Sequence, residues 1–178
     1  RQLDSDPDDH GRIMEQSNLD FILTDKDLDN DALDSSTLFV DYFAMAVSKD
    51  HPMSSKAGNL CSLFDFQADT FLFRPKRDHF QQCVDRLLAQ IGFVPQRSME
   101  FEHVLRSLML TKDAGVLITT EETMKTDLYS QAVMVRIREF QGVPLVKTLY
   151  WRKGKPLSQA AVTFLEYMKA ATHETTPQ

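Results

Sequence analysis

The spacing of apolar residues along the chain predicts an alternation of strands and helices. Apolar residues recur at helical spacing from residue 80 to residue 91, where Asp78 and Gln81 have the spacing of a capping box and Gly92 ends the pattern. A second apolar stripe follows Ser158, a predicted N-cap. Weaker helical patterns cover residues 8–17, 104–110 and 120–125. Short apolar runs predict strands at residues 19–23, 37–40, 42–48, 71–73, 97–101, 115–119, 132–137 and 145–152. Strands that alternate with helices predict an α/β fold with parallel pairing.

Composition narrows the class of protein. The chain has 178 residues, of which 42% are hydrophobic and 26% are charged, and these values are typical of a globular domain. The formal net charge of −6 argues against an intrinsic nucleic-acid-binding surface, because phosphate contacts need clustered Lys and Arg. The excess of acidic residues is confined to the start of the sequence, because residues 1–34 have a net charge of −8 and residues 35–178 have a net charge of +2.

Cysteine content and hydropathy indicate the compartment. Cys61 and Cys83 are too few for a disulfide framework, and neither has a CxxC partner, so a reducing compartment fits best. We interpret Cys83 as a small buried hydrophobe on a helix face, with a redox switch as the alternative. No apolar run approaches the about 18 residues of a membrane span. We therefore expect a soluble, cytoplasmic protein with no membrane partner.

The acidic loop at residues 24–36 resembles a calcium-binding loop, but the spacing of its possible ligands does not match one. Asp25, Asp27 and Asp29 imitate the first ligands of an EF-hand, but the sixth position is Asn30 and the twelfth is Ser36. We expect a solvated, mobile loop. The five histidines lack zinc-site spacing, so we predict no metal.

Signs of catalysis are weak. The chain has no GxSxG elbow, P-loop or GxGxxG motif. Glu100 and Glu102 share a face of a predicted strand end, which would suit acid–base chemistry, but Glu102 at a helix start more simply favours the helix dipole. We predict no catalytic residue and no cofactor.

A more informative segment is FRPKR at residues 73–77, where a predicted strand ends and a helix begins. In open α/β sheets, ligands bind beyond the carboxyl ends of the strands, near helix N-termini. Arg74 is therefore a candidate to bind a carboxylate. The alternative, that Arg74, Lys76 and Arg77 only balance surface charge, is equally open.

Several stretches together carry a resemblance to a known family. In chain order they are MEQSNLDFIL at 14–23, VSKDHP at 47–52, GFVP at 92–95, AGVL at 114–117, YWRKG at 150–154, PLS at 156–158 and Phe164. Their order and spacing resemble the effector-binding domain of LysR-type transcriptional regulators. The resemblance covers nearly the whole chain.

The resemblance implies a two-lobed, periplasmic-binding-protein-like fold with mostly parallel sheets and helices on both faces. Lobe I would comprise residues 1–52 and 142–178, lobe II residues 53–141, and the hinges would lie near Pro52 and Pro144. A small effector would bind between the lobes and bias two conformations. Positions that match the family's effector pocket are Asp6, Pro7, Asp8, Arg74, Pro75, Ser98, Met99, Glu100, Gly115 and Val116.

The resemblance also implies partners and shows departures. A full-length regulator would form a homodimer or tetramer and would contact DNA only through an N-terminal helix-turn-helix that this sequence lacks. By comparison with the family, roughly 30 residues of a first strand and helix are also missing. Leu117 replaces the family's second glycine, which puts a close backbone approach in doubt, and Asp113 would repel an anion. A solute-binding protein of a transport system remains the first alternative, and a small-molecule enzyme the second.

Overall fold

The computed structural model describes residue 14 and residues 19–102, 110, 112–126 and 129–173. The described strands are β1 (Ile22–Thr24), β2 (Leu33–Ser48), β3 (Leu60–Cys61), β4 (Thr70–Phe73), β5 (Arg97–Glu100), β6 (Leu117–Thr120), β7 (Ala132–Ile137) and β8 (Pro144–Arg152). The described helices are α1 (His79–Ile91), α2 (Glu121–Met124) and α3 (Gln159–His173), with 3-10 turns at Pro52–Lys56, Leu63–Phe66 and Arg138–Phe140.

The chain divides into two units. Unit 1 comprises Arg1–Val40 and Leu145–Gln178, and unit 2 comprises Asp41–Pro144. The lobe limits predicted from the sequence, 1–52 with 142–178 and 53–141, stay a prediction. Residues 8–17 and 104–110, where we predicted helices, lie outside the described residues except for Met14 and Leu110. No helix in the described part is long and apolar enough to cross a membrane.

In unit 1, strand β8 lies between β1 and β2. Strand β1 pairs antiparallel with β8, and Leu23 lies opposite Leu149. The ring of Phe21 lies 5.6 Å from that of Phe164 on α3, between ring centroids. The predicted N-cap is confirmed, because the Ser158 hydroxyl accepts a hydrogen bond from the Ala161 N–H at 3.2 Å.

The acidic loop is attached to β8, where we expected a solvated loop. Lys147 Nζ lies 2.9 Å from Asp25 Oδ2, and the Asp25 side chain is only 13% exposed. The Tyr150 hydroxyl accepts from the Leu28 N–H at 3.2 Å and donates to Asp27 Oδ1 at 3.3 Å. Two of the carboxylates that resemble calcium ligands are therefore engaged with the sheet.

Strand β2 is continuous, although the sequence predicts a break at Asp41. The Asp41 side chain is buried, and its Oδ1 accepts from the Tyr42 N–H at 2.8 Å and the Glu122 N–H at 3.2 Å. Because two N–H groups compensate the buried carboxylate, the strand accommodates it. The prediction of an interruption is wrong at this residue.

The sheets are less parallel than the sequence predicts, although the α/β class is confirmed. In unit 2, residues 43–46 of β2 pair antiparallel with β6, and residues 45–48 pair antiparallel with β7. Strand β3 pairs in parallel with β7. Apolar periodicity reports which residues are buried and carries no information on strand direction, so the pattern could not distinguish these pairings.

A second sheet in unit 2 has the expected parallel pairing. Strand β4 pairs with β5, so that Phe73 lies opposite Glu100. On its other side, Phe71 forms a parallel bridge with Val116. Two hydrogen bonds hold this bridge, Val116 N to Thr70 O at 2.8 Å and Leu72 N to Val116 O at 2.9 Å.

Helix α1 follows the predicted pattern at both ends. The Asp78 carboxylate accepts from the Gln81 N–H at 3.1 Å, and Gly92 ends the helix with φ 73°. The Gln81 side chain does not return to Asp78 as in a full capping box, since its Oε1 accepts from the Arg74 N–H at 2.9 Å. Phe80, Val84, Leu87 and Leu88 form the buried face.

Glu139 fixes the turn that follows β3. Its Oε1 accepts from the Ser62 hydroxyl at 2.6 Å, and its Oε2 accepts from the Leu63 N–H at 2.9 Å. Burial by itself raises the pKa of Glu139, but the hydrogen bonds from Ser62 and Leu63 outweigh it and leave the pKa below its ordinary value of 4.5.

A Glu139→Gln variant should be less stable at pH 7 by about 1.5 kcal/mol, because hydrogen bonds to a charged group are lost. The lowered pKa means that this contribution is present above about pH 4.5 and disappears as the pH falls through the folded-state pKa. Urea unfolding at several pH values should therefore show the gap between wild type and variant narrowing below pH 4.5. A gap that is constant with pH would contradict the assignment.

Candidate functional site

Two parallel strands in unit 2 end at a common edge, which we call the carboxyl edge of β4 and β5. Strand β4 ends at Phe73, and the Phe101 N–H donates to the Phe73 carbonyl at 3.0 Å, which extends the pairing just past β5. Arg74 follows β4 directly, and α1 begins five residues later at His79. Ligands of α/β proteins commonly bind at such edges.

Arg74 is held at this edge by two side chains of the α1 start. Its Nη1 lies 3.2 Å from Asp78 Oδ2, and its guanidinium carbon lies 4.5 Å from the centre of the Phe80 ring. The side chain is 23% exposed, but the Nε atom is buried and has no hydrogen-bond partner in the described structure. A buried donor without an acceptor is costly, so the Arg74 Nε–H is an unsatisfied polar group at this edge in the described structure.

The structure separates Arg74 from its basic neighbours. Arg77 Nη2 lies 2.6 Å from Glu102 Oε1, and both side chains are mostly exposed. Lys76 is exposed as well. Such surface pairs contribute little, so the surface-charge interpretation fits Arg77 and Lys76. Because Glu102 is engaged in this pair, the structure gives no support to acid–base chemistry at residues 100 and 102.

The other predicted site residues fall into three groups. Pro75 is buried beside Arg74, and Glu100 is exposed at the same edge. Ser98 and Met99 are exposed earlier on β5, while Gly115 and Val116 are buried near the start of β4. Asp6, Pro7 and Asp8 lie outside the described residues. No group of three or more metal-ligating side chains that could hold an ion occurs in the part of the chain that the structure describes.

Gly115 has a clear packing role. A Cβ at this position would lie 2.2 Å from the Thr70 carbonyl oxygen and 3.0 Å from Leu72 Cδ2. The close backbone approach that Leu117 put in doubt is therefore made by Gly115, and Leu117 is buried in the core. Asp113, expected to repel an anion, accepts from the Ser48 hydroxyl at 2.7 Å.

Tyr129 is a candidate that the sequence did not reveal. It is 2% exposed and packs in a cluster with Leu72, Leu110 and Leu117, against which Phe101 also packs. Its hydroxyl is buried and has no hydrogen-bond partner among the residues that the structure describes. Leu72 belongs to β4 and Phe101 directly follows β5, so this hydroxyl, unpartnered within the described residues, lies in a cluster packed against the strands that precede the Arg74 edge.

The cysteines differ in exposure. Cys61 is buried, whereas Cys83 is half-buried, and both are free thiols. Arg86 Nη2 donates to Cys83 Sγ at 3.3 Å. Cys83 is therefore less buried than the sequence predicts, because His79 and Arg86 of the same helix place polar atoms beside its sulfur.

Comparison with known proteins decides the family. The sequence matches the LysR substrate binding domain over residues 2–172. This chain belongs to that family. No curated protein sequence matches the chain.

The fold of this LysR domain is similar to those of solved effector-binding domains. The BenM effector binding domain with its effector benzoate is 16% identical, with a TM-score of 0.76 over 98% of this chain and 79% of that chain. The regulatory domain of Synechocystis PCC6803 CcmR in complex with 2-PG is 16% identical, with a TM-score of 0.72 over 93% and 79%. The effector binding domain of QuiR in complex with shikimate is 15% identical, with a TM-score of 0.73 over 97% and 81%. The predicted α/β, periplasmic-binding-protein-like fold is confirmed.

The LysR domain should not tolerate a side chain at Gly115. Gly115→Ala places a Cβ against the Thr70 carbonyl, and we expect a loss of about 2 to 3 kcal/mol in the free energy of unfolding. Gly142→Ala is the control, because Gly142 has open space but φ 73°, so only backbone strain of about 1 kcal/mol applies. A larger loss of unfolding free energy in Gly142→Ala than in Gly115→Ala would contradict the close contact between Gly115 and the Thr70 carbonyl.

The unpartnered hydroxyl of Tyr129 leads to a second expectation. Tyr129→Phe removes a buried polar group without a partner, so the ligand-free protein should be unchanged or up to about 1 kcal/mol more stable. Thermal and urea unfolding measure this directly. A loss of more than about 1 kcal/mol would show that the hydroxyl is hydrogen-bonded in the folded protein.

Proposed function

We propose that this LysR domain is the ligand-sensing regulatory part of a transcription factor and that it binds a small anionic effector at the carboxyl edge of β4 and β5. The buried, unpartnered Nε of Arg74 carries the proposal. Asp78 and Phe80 hold the guanidinium in place, so an incoming carboxylate meets a preorganised cation.

The chemistry of the similar domains supports a carboxylate. Benzoate, named with BenM, and shikimate, named with QuiR, each carry one carboxylate on a compact ring. A guanidinium with a free N–H matches that group. The buried Tyr129 hydroxyl would supply a further donor or acceptor near the same strands.

Of the ten residues that the resemblance implies, we propose distinct roles for four that lie at this edge or support β4. Arg74 would bind the anion, and Pro75 would shape the turn before α1. Gly115 and Val116 would act by pairing with β4 on the side away from β5. Asp6, Pro7, Asp8, Ser98, Met99 and Glu100 remain proposed contacts of the effector.

Regulation would follow from differential affinity of the effector for two conformations of the domain. The chain spans 58% of a full-length BenM mutant, so the properties of the whole protein are proposals. We propose a cytoplasmic homodimer or tetramer that contacts DNA through a separate helix-turn-helix, and a domain without catalysis. The net charge of −6 is consistent with DNA contact elsewhere. The family match favours this over a transport protein.

Arg74→Gln should weaken binding of the effector by about 1.5 to 3 kcal/mol, or roughly tenfold to a hundredfold in Kd. Thermal-shift screening against benzoate, shikimate and related small carboxylates identifies a ligand, and calorimetry measures its Kd. Arg77→Gln is the matched control, since Arg77 forms an exposed pair with Glu102.

Two results would count against the proposal. One is that no small carboxylate stabilises the protein. The other is that Arg74→Gln and Arg77→Gln change the affinity equally, which would return Arg74 to a role in surface charge.

A further inference from the structure

We propose that unit 2 carries a second binding site, for a compact hydroxycarboxylate, in an open cleft beside strand β3. The cleft has a volume of 530 Å³, within the range of small-molecule sites. Its lining includes Lys56, Leu60, Asp65 and Arg138. The cleft lies on the β3–β7 pair and thus on a different sheet from Arg74.

Two exposed cations line this cleft. Lys56 ends the turn Pro52–Lys56, and Arg138 begins the turn Arg138–Phe140. Within the described residues neither side chain forms a hydrogen bond or a close ion pair, although the charge of Arg138 acts on the neighbouring Glu139 and helps to lower the pKa of that carboxyl. By contrast Arg136, two residues before Arg138, lies 3.5 Å from Glu121. Two cations in one concavity, against the single carboxylate of Asp65 in its lining, favour an anion with two oxygens.

The cleft is also preorganised. Strands β3 and β7 are parallel with Cys61 opposite Ile137, so Ser62 and Arg138 follow neighbouring carboxyl ends, the usual ligand position in such sheets. Glu139, next to Arg138, bonds both the Ser62 hydroxyl and the Leu63 N–H. Because these contacts already fix the backbone, binding needs little further ordering.

The remaining lining residues select the rest of the ligand. Asp65 Oδ2 accepts a hydrogen bond from the Ser62 N–H at 3.1 Å. The other carboxylate oxygen, Oδ1, can therefore accept a hydrogen bond from a ligand hydroxyl. Leu60 is 41% exposed and offers an apolar surface for a short carbon chain. A carboxylate, an adjacent hydroxyl and a small apolar group together define the ligand class, of which L-lactate is the simplest probe.

The test is an NMR titration of the ¹⁵N-labelled chain with L-lactate. Propane-1,2-diol is the control ligand, because it has a three-carbon skeleton with hydroxyls but no charge. We expect saturable amide shifts at residues 60–62 and 138 with L-lactate and none with the diol. Lys56→Gln and Arg138→Gln should each weaken binding tenfold or more, whereas Arg136→Gln should leave it unchanged.

The proposal is overturned if L-lactate gives no saturable shifts at these residues, if the diol gives the same shifts, or if neither Lys56→Gln nor Arg138→Gln weakens binding. The dispersion of each variant's spectrum verifies that it is folded, and two independent variants keep the test decisive. Arg74→Gln should leave these shifts unchanged, which separates this site from the proposed effector site. Shifts that vanish in Arg74→Gln would also overturn it.

Discussion

The close approach of Gly115 to strand β4 is the contact on which the candidate site depends. Without a side chain, Gly115 lies against the Thr70 carbonyl, and Val116 can exchange two hydrogen bonds with β4. Strand β4 is thereby paired on both sides, and its carboxyl end is fixed beside that of β5. A backbone paired on both sides is rigid, so the residue that follows it, Arg74, starts from a defined position.

From that position, local contacts determine what Arg74 can do. The Asp78 carboxylate serves both the α1 start and the guanidinium, while Phe80 lies under the cation. Asp78 pairs with Nη1, and the buried Nε has no acceptor among the described residues. A positive group that is fixed but incompletely paired suits reversible binding of an anion, because little reorganisation precedes the new hydrogen bond. Sensing by a LysR domain needs this kind of reversible interaction.

The features that the sequence predicted well are those that depend on near neighbours. Helix α1 was predicted with its Asp78 cap and Gly92 end because period, cap and terminator all lie within one segment. The position of Arg74 between a strand end and a helix start is confirmed, because these two elements adjoin in sequence, whereas its role in binding stays a prediction. Continuity of β2 was missed, since the Glu122 N–H that compensates Asp41 lies 81 positions away. The Asp25–Lys147 pair, the strand directions and the unpartnered hydroxyl of Tyr129 were missed for the same reason, because each depends on residues that are distant in sequence.

The structure of the domain in complex with a carboxylate that raises its melting temperature tests the central claim most directly. We expect one carboxylate oxygen within about 3.2 Å of Arg74 Nε or Nη atoms, with Asp78 still capping α1. A carboxylate bound away from the carboxyl edge of β4 and β5, with the Nε of Arg74 still unpartnered, would contradict the account.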